Sequence, residues 1–276
     1  MPMAEANISP DDRGFLFADG VYEVIYAYGG FLFRAESHWK RLQRSMGELE
    51  INGFKDVDFE SLANELIQKN RLGDTDTYIY LQVTRGAAPR NHAFPAKGTK
   101  PTVYGFARPM QKISGLQESG CKVITAPDQR WLRCDIKSIS LLPNILAKQQ
   151  AVQVNAFETI LVRDGNITEG SSAGFAAVFD KQLVTAPLGN LILPSITREV
   201  MLELCVNLRI SVAEEFILAA GIHSAQEAMV FSTTAEIMPV IEIDGQPVGD
   251  GKPGPITRKL QAAFRQMVSN DKAIYA

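Results

Sequence analysis

The sequence contains few of the residues that build disulfide frameworks and metal centres. Its 276 residues include three cysteines, which are far apart, and three histidines, at positions 38, 92 and 223. An odd number of scattered cysteines argues against a disulfide framework. No pair of histidines has metal-ligand spacing and no Cys-x-x-Cys occurs, so we predict that the protein holds no metal.

A strong charge of one sign and a long apolar run are also absent. The formal net charge is -3, from 28 basic and 31 acidic residues, which favours neither nucleic acid nor an anionic membrane as a partner. No apolar run approaches the roughly 20 residues of a membrane span. The first residues contain an acidic pair and no apolar core of a secretory signal. We therefore expect a cytoplasmic protein.

What the sequence does contain suits a large mixed fold. Hydrophobic residues make up 46% and charged residues 21% of the chain, which is ordinary globular composition. Short segments rich in β-branched and aromatic residues alternate with segments of helical periodicity. We predict an α/β protein with a small α+β domain at residues 1–108, a polar linker at 109–120 and a larger mixed α/β domain at 121–276.

The alternation of apolar residues places most of the elements. The predicted strands are Gly20–Tyr28, Phe31–Phe33, Thr77–Arg85, Thr102–Ala107, Lys122–Ala126, Glu158–Val162, Ala173–Phe179, Ala228–Ser232 and Val240–Ile243. The predicted helices are His38–Leu49, a segment around Phe59–Ile67, Pro143–Val154, Ile196–Asn207 and Ile256–Val268. The many short strands argue against a simple alternating βαβ sheet.

Two motifs match known patterns without their usual context. Gly249, Gly251 and Gly254 match G-x-G-x-x-G, but too little chain follows for a dinucleotide fold, and a turn before the last helix is the better interpretation. Residues 170–174 match the G-x-S-x-G of a hydrolase, with Ser172 as nucleophile and His223 as a possible base. A strand-like segment follows where that motif needs a helix. A serine hydrolase therefore stays a remote alternative, and a tight turn against a ligand is preferred.

One lysine lies within an otherwise apolar stretch. Residues 130–142 read RWLRCDIKSISLL, with Lys137 framed by tryptophan, leucine and isoleucine. A partly buried lysine amine can lose its proton and attack a carbonyl group. On spacing alone, a solvated lysine on a strand face is the simpler interpretation.

The segment RWLRCDIKS resembles the cofactor-lysine segment of D-amino acid aminotransferases. These enzymes have the fold-type IV architecture of pyridoxal-phosphate enzymes, as do branched-chain aminotransferases and aminodeoxychorismate lyase. Five further segments are similar to motifs of that family in the same order: Asp12–Val24, His38–Leu42, Thr168–Phe175, Ile192–Glu199 and Phe231–Val240. Six ordered matches are far more specific than any one of them. The resemblance implies pyridoxal 5'-phosphate as cofactor, bound in the cleft between the two domains.

Two departures from the family pattern lie near the N-terminus. Residues 18–20 read Ala-Asp-Gly where the family usually has Gly-Asp-Gly, a small change in backbone freedom. Relatives also carry a short strand pair ahead of the segment that matches Ala4 to Arg13, so we expect a trimmed start here. None of the predicted site residues lies in that region.

The resemblance implies two central roles. Lys137 forms the Schiff base with the cofactor and then moves the proton at the substrate α-carbon, as only an amine can do both. Glu169 pairs with the pyridine nitrogen and keeps the ring protonated as an electron sink. Without the resemblance, Glu169 is an ordinary turn residue.

The resemblance also implies a set of phosphate and ring contacts. Only the contact with the helix start is supported by the sequence itself, since Ser-Ile-Thr-Arg-Glu is typical of a cap followed by a helix whose free amides bind phosphate. The remaining cofactor-binding residues are expected to supply a forked guanidinium, hydroxyl groups and an apolar ring contact. The predicted residues are Arg41, Leu193, Ile196, Thr197, Ser232 and Thr233.

The predicted substrate site lies in part on a loop. Arg90 and His92 match the R-x-H of the D-specific members, which with Tyr22 holds the substrate carboxylate, and Thr234 also contacts the substrate. In the family this loop reaches the neighbouring subunit's active site, so the resemblance implies a homodimer. The implied reaction is ping-pong transfer of an amino group from a D-amino acid such as D-alanine to 2-oxoglutarate. A branched-chain L-aminotransferase and an aminodeoxychorismate-type lyase remain the alternatives of the same fold.

Overall fold

The computed structural model describes residues 2–54, 57–111 and 113–275. The chain divides into two compact units. The first contains the residues up to Met110 together with Ile136–Leu141, and the second contains Gln111–Asp135 and the residues from Leu142 onward. Within the described residues, no helix combines the length and the apolar character needed to cross a membrane.

The first unit is a four-stranded antiparallel sheet with helices. Its elements are α1 (Arg13–Phe17), β1 (Gly20–Tyr28), β2 (Phe31–Leu32), α2 (Ala35–Glu48), α3 (Phe59–Lys69), β3 (Thr77–Thr84) and β4 (Thr102–Pro109). The strand order is β2-β1-β3-β4. Alternate residues of β1 point into the core, where Val21 and Ile25 pack with Leu42 and Met46 of α2. This alternation is the pattern from which the strand was predicted.

The second unit is built on a larger mixed sheet. Its elements are α4 (Ser114–Ser119), β5 (Cys121–Pro127), α5 (Leu142–Gln153), β6 (Glu158–Arg163), β7 (Asn166–Gly170), β8 (Gly174–Phe179), β9 (Gln182–Thr185), α6 (Ile196–Leu208), β10 (Val212–Glu214), β11 (Ile217–Leu218), β12 (Glu227–Ser232), β13 (Glu236–Ile243), β14 (Gln246–Pro247) and α7 (Pro255–Tyr275). The order is β10-β9-β8-β12-β13-β5-β6-β7-β11, and β14 pairs with β13. The central strands β8 and β12 are buried over most of their length, which explains their unbroken apolar sequences.

The mixed α/β class and the main predicted elements are confirmed. The division into units differs from the prediction in one respect, because Ile136–Leu141, which includes Lys137, belongs to the first unit. Backbone pairing explains this: Tyr22 N donates to Lys137 O at 3.0 Å and Ile139 N donates to Gly20 O at 3.0 Å. The predicted linker also contains α4, a six-residue helix without a side-chain cap, which is too short to give a periodic signal.

Candidate active site

Lys137 lies beside Tyr22 in the first unit. Its Nζ is 4.3 Å from the centre of the Tyr22 ring, and that ring stacks on Tyr80 with centroids 5.6 Å apart. The backbone N–H of Lys137 donates to Ser45 Oγ of α2 at 3.2 Å. The main chain of Lys137 is thus tied to β1 and to α2, while the amine rests on an aromatic face and stays partly exposed.

A buried carboxylate on β1 fixes the predicted phosphate arginine. Glu23 is fully buried in the inward row of the strand. Arg41 of α2 donates to it from Nε at 3.0 Å and from Nη2 at 2.6 Å, and His38 Nδ1 lies 3.0 Å from the same carboxylate. The guanidinium therefore has a defined position and orientation, which is what a phosphate-binding group needs.

Charge balance explains why this carboxylate can be buried. Burial alone would raise the pKa of Glu23, but the charge of Arg41 and the hydrogen bonds of Arg41 and His38 hold it well below its usual value. Burial lowers the pKa of His38, while the Glu23 carboxylate acts to raise it. Arg41 was predicted from the sequence as a phosphate ligand, whereas its partners Glu23 and His38 were not predicted. The available signal was a glutamate at an inward position of an otherwise apolar strand row.

Arg90 and His92 lie together on an exposed loop between β3 and β4. The Arg90 guanidinium is 5.2 Å from the centre of the Phe17 ring, and the His92 ring lies 5.4 Å from it. Within the described part of the chain, no contact joins this pair to Tyr22, whose neighbours are Tyr80 and Lys137. Within one chain, the Arg90 and His92 part of the predicted carboxylate clamp is therefore separate from the Tyr22 part.

In the second unit, Glu169 is a buried carboxylate at the end of β7. Both of its oxygens accept from Leu193 N at 3.1 Å, and Arg130 Nη1 also donates to it. Burial raises the pKa of Glu169, although the charge and hydrogen bond of Arg130 and the amide of Leu193 act to lower it. The donors Arg130 and Leu193 N favour the ionised carboxylate, which is the form that can hold a proton on a basic ring nitrogen. The residues around Glu169 therefore fit the predicted ring.

Arg130 belongs to a network that sequence reasoning missed. Its Nε and Nη2 bond to Asp128 at 2.9 and 2.8 Å, and Nη2 also donates to Leu191 O at 3.2 Å. Arg163 Nη2 lies 3.1 Å from the same aspartate. Burial would raise the pKa of Asp128, but these two arginines lower it to about 2. Asp128 thus holds the guanidinium that faces Glu169.

This network predicts an acid-sensitive contribution to stability. Asp128 has a pKa of about 2 when folded and 3.8 otherwise, so its contribution is complete above about pH 4 and is lost as pH falls toward 2. The difference corresponds to roughly 2 kcal/mol of unfolding free energy. The destabilisation that urea unfolding measures for Asp128→Asn should therefore be roughly 1.5 kcal/mol smaller at pH 2.5 than at pH 6, since part of the contribution remains above pH 2.

The control is Asp164→Asn, which changes an exposed aspartate in the turn between β6 and β7. It should leave the pH dependence of unfolding as in the wild type. An Asp128→Asn variant whose destabilisation is the same at both pH values would show that the aspartate does not gain its stability from being ionised.

The start of α6 offers an anion site. Ser195 caps the helix, and its side chain accepts from Arg198 N at 3.3 Å. The first two helical residues, Ile196 and Thr197, are buried, and their amides have no partner four residues back in the helix. Amides of this kind and the helix dipole favour phosphate. Leu193, which binds Glu169, lies two residues before the cap, so one short segment connects the carboxylate to the anion site.

A hydroxyl-rich turn joins β12 to β13 in the second unit. Ser232, Thr233 and Thr234 are partly buried between β12 and β13, and Ser232 Oγ accepts from Ala235 N at 3.1 Å. Phe231 at the end of β12 pairs with Gly174 at the start of β8. The turn after Glu169 and the hydroxyl-rich turn are therefore neighbours. Leu193 N joins Glu169 to the segment ahead of α6, and the Phe231–Gly174 pair joins the hydroxyl-rich turn to the turn after Glu169.

The hydrolase alternative does not fit the turn at Ser172. That turn joins strand β7 to strand β8, whereas a nucleophile elbow leads from a strand into a helix. The Ser172 Oγ bonds to the Glu158 carboxylate at 2.5 Å, so its partner is not a histidine base. His223 lies in a separate 3₁₀ helix, Ala219–Ser224. The G-x-G-x-x-G segment is a turn ahead of α7, as predicted.

Comparisons with known proteins show which family this chain resembles in sequence. The sequence model of the amino-transferase class IV family matches residues 20–243. D-alanine aminotransferase of Bacillus licheniformis is 42% identical over 274 residues, which cover 99% of this chain and 96% of that protein. D-alanine aminotransferase of Staphylococcus haemolyticus is 42% identical over 267 residues, covering 96% and 94%.

A solved structure shows the same fold. The branched-chain amino acid aminotransferase of Escherichia coli superimposes with a TM-score of 0.88 at 25% identity, over 96% of this chain and 91% of that one. The resemblance to fold-type IV enzymes is thereby confirmed. Because the family model spans most of the chain and close relatives span nearly all of it, this chain belongs to the class IV aminotransferase family.

Proposed function

We propose that this protein is a D-amino acid aminotransferase that moves the amino group of a D-amino acid such as D-alanine to 2-oxoglutarate by a ping-pong mechanism. One observation carries the proposal: the chain is 42% identical over nearly its whole length to D-alanine aminotransferases, against 25% to a branched-chain enzyme. The loop with Arg90 and His92 supports the same assignment, since two cationic or donor groups suit a carboxylate.

The cofactor is pyridoxal 5'-phosphate, which when bound supplies an aldehyde for the substrate amine and a protonated ring that withdraws electrons from the α-carbon. The assigned residues divide into an amine, a carboxylate, an apolar contact and phosphate-binding groups. They are Lys137, Glu169, Leu193, Arg41, Ile196, Thr197, Ser232 and Thr233.

Each residue contributes through its own chemistry. Lys137 holds the cofactor through Nζ and moves the substrate α-proton as a general base and acid. Ionised Glu169 would keep a proton on the ring nitrogen, and the low dielectric of its buried position would strengthen the attraction between the two charges. Arg41, oriented by Glu23, and the first amides of α6 bind the phosphate.

We also propose a homodimer in which Arg90 and His92 of one subunit complete a substrate site with Tyr22 and Thr234 of the other. Two features support this. Arg90 and His92 are exposed and lie on Phe17 rather than on Tyr22. Their position within one chain leaves them available to a second copy.

The second feature is an apolar helix surface. Leu142, Ile145 and Leu146 of α5 are 67%, 60% and 53% exposed, and their spacing puts them on one face. Apolar surfaces of this kind are typical of subunit contacts.

The three cysteines are free and buried, which agrees with a reducing compartment. We therefore place the protein in the cytoplasm.

The carboxylate clamp predicts the effect of losing Arg90. A charged hydrogen bond is worth roughly 1.5–3 kcal/mol, so Arg90→Leu should lower kcat/KM for D-alanine by about ten- to a hundredfold. Most of this loss should come from a higher KM. The visible absorption of the holoenzyme should not change. Steady-state kinetics and the absorption spectrum measure both effects.

The control is Arg108→Leu, which removes an exposed arginine of β4 that also lies on a phenylalanine ring. It should keep the wild-type KM.

Stereochemistry is tested by single-turnover reaction of the holoenzyme with each enantiomer of alanine, glutamate and leucine. Rapid reaction with D-alanine or D-glutamate is expected, and a preference for L-leucine would instead place the enzyme with the branched-chain aminotransferases.

A further inference from the structure

In the loop that carries Arg90 and His92, side chains supply the hydrogen bonds of the middle residues, 91–93. Residues 88–96 form neither helix nor strand. Three successive carbonyl groups of this segment accept from a single guanidinium: Arg13 Nη1 donates to Asn91 O at 2.5 Å and Ala93 O at 3.3 Å, and Nη2 donates to His92 O at 3.4 Å. Backbone groups without such partners would be solvated and free to move.

Arg13 is itself held firmly. It is 4% exposed, and its Nε donates to Asp19 at 2.8 Å. Its backbone N–H donates to Gly86 O at 3.0 Å, where the loop leaves β3. Asp12 receives the N–H of Gly14 at 2.8 Å and the hydroxyl of Thr84 at 3.0 Å, which fixes the start of α1. The guanidinium is therefore a rigid support for the loop.

Phe17 of α1 extends this support to the side chains. The Arg13 guanidinium lies 4.9 Å from the centre of its ring, on which Arg90 and His92 also lie at 5.2 and 5.4 Å. At the far end of the loop, the Arg85 guanidinium is 3.6 Å from the Phe94 ring. The loop is thus anchored at its middle and at its end.

We propose that Arg13 is a positioning residue for the substrate carboxylate, which it never touches: it holds residues 91–93 so that Arg90 and His92 are preorganised. This inference rests on the proposed function of Arg90 and His92. Preorganisation reduces the ordering that binding would otherwise require, so the effect falls on substrate affinity. The first residues of the Asp12–Val24 segment, Asp-Arg-Gly-Phe, thereby gain a physical role.

The test uses Arg13→Lys holoenzyme. A lysine keeps the positive charge beside Asp19, but its single ammonium cannot reproduce the planar fork that reaches three carbonyls. Limited trypsin digestion, followed by mass spectrometry, measures cleavage after Arg90, which should become at least severalfold faster as the loop opens. KM for D-alanine should rise on the order of tenfold, with a smaller change in kcat.

Arg258→Lys is the matched control. Arg258 is in the second unit and likewise uses its guanidinium to hold carbonyls of another segment, those of Gln117 and Glu118. It should change neither cleavage after Arg90 nor KM. An Arg13→Lys enzyme that also keeps both at wild-type values would overturn the proposal.

A double-mutant cycle separates this inference from the function on which it rests. Placed in an Arg90→Leu background, Arg13→Lys should raise KM by a smaller factor than it does in the wild type, because only the part of its effect that passes through His92 is left. An equal rise in KM in both backgrounds would show that Arg13 acts elsewhere, against the proposal. If Arg90→Leu alone leaves KM unchanged, the clamp assignment fails. Cleavage after Arg90 in Arg13→Lys then still tests the loop by itself: faster cleavage shows that Arg13 holds it, and unaltered cleavage shows that it does not.

Discussion

Lys137→Ala should abolish transamination, with turnover of D-alanine falling by on the order of 10⁴-fold. The reason is chemical and not structural. The backbone of Lys137 is fixed by Tyr22 N and Ser45 Oγ, and alanine keeps both bonds. The amine itself contacts the Tyr22 ring, an interaction worth about 0.5–1 kcal/mol at a partly exposed site. The variant should therefore fold normally while losing its covalent anchor and its base.

Three measurements check this result. Borohydride reduction of wild-type holoenzyme should fix the cofactor on the peptide containing Lys137, and the variant should yield no such peptide. Methylamine added to the variant should restore part of the turnover, because a free amine can replace the missing base. Lys122→Ala, which removes an exposed lysine paired with Glu242, is the control and should retain full activity. Full activity in Lys137→Ala would exclude this lysine from the chemistry.

The role of Lys137 is suggested by its sequence motif, but its structural setting is not. Periodicity describes neighbours along the chain, and the segment 136–141 pairs with β1 more than a hundred residues earlier. The sequence around Lys137 is strand-like, but it does not indicate with which of the two units that strand pairs. The predicted domain boundary therefore missed a segment that returns to the first unit.

The partners of buried charged residues also could not be predicted from the sequence. The strand at Gly20–Tyr28 and the helix containing Arg41 are predictable separately from their apolar patterns. That Glu23 meets His38 and Arg41 depends on how α2 packs on β1, which neither pattern contains. Arg130 was missed for a similar reason, because its partners Glu169 and Leu191 are distant in the chain. For Glu23 and Arg41 the local elements were predictable and the long-range ion pair was not, and Arg130 lies in a bend outside every predicted element.

Glu169→Gln should slow the proton transfer step by on the order of 10²- to 10³-fold, the usual cost of removing one electrostatic stabiliser from an active site. Glutamine retains an oxygen that can accept from Leu193 N, and Arg130 keeps its bonds to Asp128, so the surrounding network survives. What is lost is the negative charge that holds a proton at the ring nitrogen. Cofactor should still attach through Lys137, and single-turnover reaction with D-alanine should become slow.

A second buried carboxylate of the same unit, Glu227, provides the control for Glu169→Gln. Glu227 is 5% exposed and accepts from the first amides of α7, Ile256 N at 2.9 Å and Thr257 N at 2.7 Å. Glu227→Gln removes the same charge from a similarly dry place that has no role in the chemistry. It should lower the free energy of unfolding while each molecule of holoenzyme keeps its wild-type rate. If Glu169→Gln behaved like Glu227→Gln, with stability lost and the rate retained, Glu169 would be a structural carboxylate, and the proton at the ring nitrogen would need another holder.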